Sequence, residues 1–574
     1  MCNTKIYLTY SLLFSHKKTI SPKDIENFIN KYDAKKLIHG LVGLMNLDYK
    51  YLNEIKNDFF TFLNRTYTLS EFNCSFIYDK NIIPFSHQTL LSTMKWVILF
   101  GDFSSQNIKN KFINNQEYIN ICILLCLMVA DTLNKDKFSN NTAKTPLDEI
   151  FFAEFNKNLY INKLNKIPNP TFFLRTSYFF TDLIYIDELK KEADYLDYPM
   201  IFKNYYGYNI NEYLGTIFML YASFSKDFQY LNNVKNDLIN RLPKNDSKIE
   251  IIQKILNHHT INLDDARTLL KKDYNKEWTN DFFFKYAFLE LPNNECLFLV
   301  SPILYYNIFL SLKFEIQKAC KNTYTDTKKD PFLSFCGKLQ EKYIFNLANA
   351  TISNLDYIKI IPEFNYTKHN KSSDLMISIG KNTLLIFESK FQSLRKSSLF
   401  TDDYNIFSKD EERLFIKPLQ QIIKSAKEII NKGNIVIHLS NNTNINFNLN
   451  RYSNIYIFSL LAENTFITPY VTKKLRTEIE NTLQKEPILK NKIKGYYSID
   501  LNSFEMLLSL LFLSKKKTNI NNILKEIFNK KYTISEYLYK TKRSTPLLPF
   551  FKEKNYLFDK SISSIFPKWN ENIT

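Results

Sequence analysis

Apolar positions recur at helical spacing through residues 1 to about 275, in segments such as 25–29, 34–47, 213–224 and 249–256. Stretches rich in Asn, Asp, Ser and Pro interrupt them, as at 139–146 and 165–170, and predict polar loops between helices. After about residue 280 the pattern changes. The run Cys296-Leu-Phe-Leu-Val predicts a buried strand, followed by a long helical stretch to Ala319 and a polar break over 321–330. A helix is expected over about 332–350, then strands at 357–364, 374–379 and 383–391. A second helix covers roughly 415–431, and strands return at 435–439 and 455–460. The order α-β-β-β-α-β describes a mixed α/β domain. From Val471 onward the pattern reads as helical again. The expected division is therefore 1–275, helical; 276–470, mixed α/β; and 471–574, helical and basic.

Composition narrows the classes. With 574 residues and 45% hydrophobic side chains, the chain can bury several cores and is not a disordered polymer. The formal charge is +18, which makes a polyanion the first partner to consider. Residues 471–574 hold 20 basic and 10 acidic side chains, so more than half of that excess lies there. Lys515, Lys516 and Lys517 are its densest run, and a phosphate-binding surface competes with ordinary solvated lysine-rich helices. Seven cysteines, none in a CxxC pair, argue against a disulfide scaffold or structural zinc and for a reducing compartment. The longest apolar run, Ile121 to Ala130, is about half of what a membrane helix needs. No basic segment precedes the short apolar patch near the N-terminus. A cytoplasmic protein without a membrane partner is expected. No glycine begins a phosphate-binding GxxxxGK[ST] or GxGxxG motif, so no nucleotide-hydrolysing motor is expected.

The informative stretch runs from Asp374 to Lys390. Two apolar runs flank Gly380-Lys381-Asn382, a three-residue hairpin loop containing a residue that tolerates positive φ. With that loop Ile379 faces Thr383, and counting outward sets Asp374 opposite Glu388. Opposed residues share a face with Cβ atoms roughly 5 Å apart, a gap that one metal ion can bridge. Glu388 and Lys390 are two apart on a strand and also share a face. Charges that interrupt apolar strands need a partner or a metal. Two carboxylates and a backbone carbonyl suit Mg²⁺, with Mn²⁺ as an alternative. A lysine beside them can orient a water and offset charge developing on a phosphorus centre, the ingredients of metal-assisted phosphodiester hydrolysis.

This pattern, D-x13-E-x-K on a hairpin with a glutamate on the preceding helix, resembles the PD-(D/E)XK nuclease superfamily over about residues 295–460. The resemblance implies a restriction-endonuclease-like core: a mixed sheet flanked by helices, here between a large helical N-terminal and a smaller helical C-terminal region. By the same resemblance the helical glutamate is Glu341, which borders the inward stripe of its helix, and the metal ligands are Asp374, Glu388, the Ser389 carbonyl and Glu341. Lys390 completes the catalytic set. The polar residue that such nucleases carry on the next helix is assigned to Gln420, which flanks the stripe of Leu419, Ile423, Ala426 and Ile430. Glu363, one strand earlier, is a weaker candidate. The family's proline before the aspartate is absent, with Ser373 in its place. The resemblance implies a Mg²⁺-dependent endonuclease acting on nucleic acid, DNA in the first instance, in bacterial restriction or antiphage defence. Repair, recombination or mobile-element nucleases, and a catalytically idle binding scaffold, are the alternatives. A protein partner or oligomer contact is expected, if anywhere, through the helical N-terminal region. His258-His259 is expected in a loop or at the surface, and His438 as a satisfied core histidine.

Overall fold

The computed structural model describes the chain except residues 1–5, 15–19, 47–50, 69–70, 74–81, 105–114, 140–169, 227–238, 240–247, 273, 275–279, 300–310, 325–329, 393–403, 439–443, 463–468, 515–516, 530–533, 542–547, 549 and 551–574. The chain divides into two units, each discontinuous in sequence. One comprises Met1–Ile167, Glu212–Leu312 and Leu399–Asp402; the other Pro168–Asn211, Lys313–Ser398 and Asp403–Thr574. The expected boundaries at 275 and 470 are therefore corrected. The segment 168–211 belongs with the second unit, and the 471–574 region is part of that same unit rather than a separate body.

The first unit is mainly helical. Helix Ala34–Met45 packs against Asn115–Ser139, and Gly40 permits the approach, since a Cβ there would stand 2.7 Å from Cys122 Sγ. The expected apolar run sits inside Asn115–Ser139. Its stretch Gln116–Leu133 is long and apolar enough to cross a membrane by length and composition, yet 72% of it is buried within the fold, as in a core helix. A three-stranded sheet of Thr260–Asn262, Phe288–Glu290 and Cys296–Phe298 also belongs here. The strand at Cys296 was expected in the α/β domain; it pairs instead with Phe288–Glu290. His259 lies in the turn after its helix, as one arm of the expectation had it, but is buried, with its ring nitrogens against Tyr213 Oη (3.2 Å) and the Lys285 carbonyl (3.0 Å). The five described cysteines are buried, and none of them forms a disulfide.

The second unit is built on a five-stranded mixed sheet. Its elements are α1 (Pro170–Ser177), α2 (Pro331–Ile352), β1 (Ile358–Pro362), β2 (Leu375–Ile379), β3 (Thr383–Lys390), α3 (Lys417–Lys432), β4 (Asn434–His438), β5 (Asn444–Asn448), β6 (Asn454–Leu461), β7 (Ile493–Asp500) and α4 (Leu501–Leu513). The strand order is β7-β6-β3-β2-β1. Strands β1, β2 and β3 run antiparallel, while β6 is parallel to both β3 and β7. Every residue of β2 is buried, which suits a strand covered on both faces. Phe387 stacks on Phe458 (4.7 Å) and meets the edge of Phe504 (5.2 Å), which puts α4 on that face, and α2 packs against α4. On the other face Ser459 donates to the Leu414 carbonyl (2.9 Å), in the turn that enters α3.

Local chemistry sets these elements. Asp330 caps α2 by accepting from Leu333 N–H, with Pro331 at the first helical position. In α3, Leu419, Ile422, Ile423, Ala426, Ile429 and Ile430 form the buried stripe. Two expectations change here. Strand β7 lies in a region read as helical, and its Tyr496-Tyr497 pair with Ile499 carries the β preference that the surrounding lysines obscured. The strand expected at 435–439 exists as β4, but among the described residues it pairs only with β5, in a separate two-stranded ribbon, and His438 is exposed rather than in the core.

Candidate active site

The hairpin loop is the three-residue one. Ile379 pairs with Thr383 and Leu375 with Phe387, so continuing by one residue sets Asp374 opposite Glu388. Gly380 takes φ 62°, the left-handed conformation such a turn requires. Its N–H donates to the Tyr357 carbonyl (2.6 Å), and Ser378 Oγ donates to its carbonyl (3.2 Å), which ties the loop to the end of β1. A register one residue different would separate the two carboxylates onto opposite faces. Glu388 pairs in parallel register with Ser459 and therefore faces α3; Lys390, two residues on, shares that face.

Within the cluster, Asp374 Oδ2 accepts from Ser389 N–H (2.6 Å), so the aspartate is held by the backbone between the two charged residues of the E-x-K segment. Lys390 Nζ donates to Glu388 Oε1 (2.9 Å), with 14% of the Glu388 side chain and 30% of the Lys390 side chain exposed. Glu341 comes from α2, half-buried beside that helix's apolar stripe. It lies within charge reach of Glu363, Glu388, Lys371 and Lys390. Glu363, just beyond β1, is paired with Lys371 (2.7 Å).

All three principal carboxyls are pushed above their ordinary range. Burial drives Asp374 well up, and the neighbouring Glu388 and Glu341 charges add to it, against the Ser389 N–H and Lys390. Burial also raises Glu388, although the Lys390 ammonium pulls the other way. Glu341 rises to about 7 through burial first and then repulsion from Glu363, with Lys371 and Lys390 opposing. The corner of the sheet thus gathers more negative charge than its two lysines offset.

Gln420 stands in the first turns of α3, which packs on β3 and β6. It is half-buried while Gln421 is exposed. Among the described residues no hydrogen bond joins Gln420 to Asp374, Glu388 or Lys390. Lys371 was not singled out in the sequence. Its signal is the span Phe364 to Ser373, which lies between Glu363 and Asp374 and holds two lysines and no acid. The lysines at 515 and 516 lie outside the described residues, as does the side chain of Lys517.

The donor set fits a hard divalent cation, being carboxylate oxygens and the Ser389 carbonyl. Burial first, and mutual repulsion after it, raises their pKa values, and a bound cation would favour the charged forms. Among the described residues no three His, Cys, Asp or Glu side chains stand at a spacing that would already hold a metal. Asp374 is turned to the Ser389 N–H and Glu388 to Lys390. The bonds to Lys390 and Ser389 N–H engage Glu388 Oε1 and Asp374 Oδ2, one oxygen of each carboxylate. Against known protein families, curated proteins and solved structures, the chain gives no match.

Proposed function

We propose that the chain is a divalent-metal-dependent endonuclease of the PD-(D/E)XK type, hydrolysing phosphodiester bonds of nucleic acid, DNA in the first instance. The observation that carries the reading is the pairing of Asp374 across from Glu388, with Lys390 on the same face and Glu341 within charge reach. The α-β-β-β-α-β order of α2 through β6 is consistent with a restriction-endonuclease-like core, elaborated by the β4–β5 ribbon and extended by β7.

In this reading Asp374, Glu388 and the Ser389 carbonyl hold Mg²⁺ or Mn²⁺, with Glu341 bordering the site. A bound ion supplies a water of lowered pKa and a positive charge against the phosphate. The Ser389 N–H fixes Asp374. Lys390 would orient the attacking water and offset charge as the new O–P bond forms and the ester P–O bond breaks, the water's proton passing to solvent and the leaving oxygen taking one from solvent. The setting that follows from the resemblance is bacterial restriction or antiphage defence, with repair, recombination or mobile-element processing as the alternative. Glu388→Ala should abolish cleavage of plasmid DNA in Mg²⁺, to the level of wild-type protein in EDTA, because one carboxylate does not retain the ion. Gel analysis of supercoiled and linear plasmid reads this out, and undiminished cleavage by the variant would refute the site.

A further inference from the structure

Ribbon β4–β5 has two chemically different faces. Its register pairs Asn434 with Asn448, Ile435 with Phe447, Val436 with Asn446, Ile437 with Ile445, and His438 with Asn444. Ile437 and Phe447 are buried, and Phe447 meets the edge of Phe364 (5.6 Å). This anchors one face, as a lone two-stranded ribbon needs. The opposite face carries Asn434, Val436, His438, Asn444, Asn446 and Asn448, all exposed except the half-buried Asn448. Asn is poorly suited to strands, so β preference does not account for that row. Two cross-strand bonds, Asn448 Nδ2 to Asn434 Oδ1 and His438 Nδ1 with Asn444 Oδ1 (both 2.7 Å), hold it in a fixed arrangement. Each amide keeps a further donor or acceptor for a ligand.

Acidic residues are sparse in the sequence around the ribbon, and Glu428, which accepts from Tyr366 Oη (2.9 Å) and Asn370 Nδ2 (3.1 Å), is the carboxylate nearest to it in the chain. No Asp or Glu occurs between Glu428 and Glu463, a span that includes Lys432 and Arg451. The connection from Glu363 to Asp374 contains Lys368 and Lys371 and likewise no acid. That connection carries the candidate catalytic residues at its ends and joins the ribbon region through Phe364, and through the Tyr366 carbonyl, which accepts from Lys432.

We propose that the β4–β5 ribbon is a sequence-reading element that enters the major groove of double-stranded DNA. The inference rests on the nuclease reading for its polyanionic partner. A two-stranded ribbon fits the groove of B-DNA, about 12 Å wide, where Asn side chains make paired hydrogen bonds to adenine N6 and N7. The deep, narrow major groove of A-form RNA does not admit it. Exposed Lys368 on the neighbouring connection contacts phosphate and sets position, and the ribbon face specifies sequence.

The test uses the full chain in Ca²⁺ without Mg²⁺, with a pool of DNA duplexes carrying a randomised centre and an RNA duplex pool as the control. Wild-type protein should enrich DNA duplexes containing adenine at defined positions and enrich no RNA. The triple variant Asn434→Ala, His438→Ala, Asn446→Ala should bind the starting DNA pool with an unchanged salt slope. Its affinity for the enriched duplex should fall about tenfold or more. Should the triple variant fail to fold by circular dichroism, Asn446→Asp alone is read instead, since it keeps the shape and removes the amide donor. Enrichment of the same sequences by the variant, or DNA binding by wild type without enrichment, overturns the ribbon proposal alone. No binding to any nucleic acid by wild type overturns it together with the nuclease reading.

Discussion

Glu341 is the residue where charge and stability meet most directly. Its ordinary carboxyl value of 4.5 is raised to about 7 by burial and then by Glu363. An acid raised on folding binds its proton more tightly in the folded chain. Its contribution therefore favours the fold at low pH and is lost as pH climbs from about 4.5 through about 7. A shift of this size corresponds to about 3 kcal/mol. Urea unfolding in EDTA at pH 5, 6, 7 and 8 should show stability falling with pH, and Glu341→Gln should flatten that fall. Asp374 and Glu388 are raised in the same sense, so a smaller slope should persist in the variant. A pH-independent wild type would contradict the crowding of these carboxyls. Lys390→Ala asks a different question. It removes the ammonium from Glu388 without removing a metal donor, so cleavage should slow by about 10² to 10³ while Mn²⁺ affinity by titration calorimetry holds or rises.

At the scale of elements, the three-residue loop decides which side chains meet. Gly380→Ala forces a Cβ into φ 62° and should cost about 1 kcal/mol in urea unfolding, with Gly380→Asn costing less because Asn tolerates that conformation. An equal loss from both would show that the hairpin does not depend on the left-handed turn. This hairpin was legible in the sequence because its signals are local: two apolar runs, a Gly-Lys-Asn loop and a fixed count outward to Asp374 and Glu388. Helices α2 and α3 were legible for the same reason, through the spacing of residues such as Ile344, Ala348, Ile423 and Ala426. Strand β7 was not. Its place is set by pairing with β6 across the connection from Leu461 to Ile493, and no local pattern carries that distance. The partnering of β4 with β5 alone was equally hidden, since apolar alternation marks a strand without naming its neighbour. Lys371 escaped notice because its role comes from the fold, which returns it to Glu363 eight residues earlier.

On the scale of the whole molecule, the second unit is joined by a buried ion pair between remote parts of the chain. Arg175 in α1 donates to Glu505 in α4 (2.7 Å), and Tyr343 Oη of α2 donates to the same carboxylate oxygen (2.7 Å). Arg175→Ala would leave Glu505 buried without its cation and should destabilise the unit by about 3–5 kcal/mol. Arg175→Met with Glu505→Leu should recover much of that, and thermal unfolding followed by circular dichroism compares the two. Equal loss in both would mean that helix packing, rather than charge, holds α1 in place. Expressing 276–470 alone would omit α1, β7 and α4 together, and truncating before 471 would remove an edge strand of the central sheet. The order of the pieces also matters while the chain is being made. Segment 168–211 leaves the ribosome more than 100 residues ahead of Lys313, where the rest of its unit begins, and at ordinary elongation rates that is a wait of roughly 5–20 s or more. Through that interval the apolar residues of α1, Phe173 and Leu174 among them, have no finished core to enter. Nascent chains paused within residues 212–312 should therefore be the ones most readily captured by a chaperone that binds exposed apolar segments, with release following only after α4 has emerged.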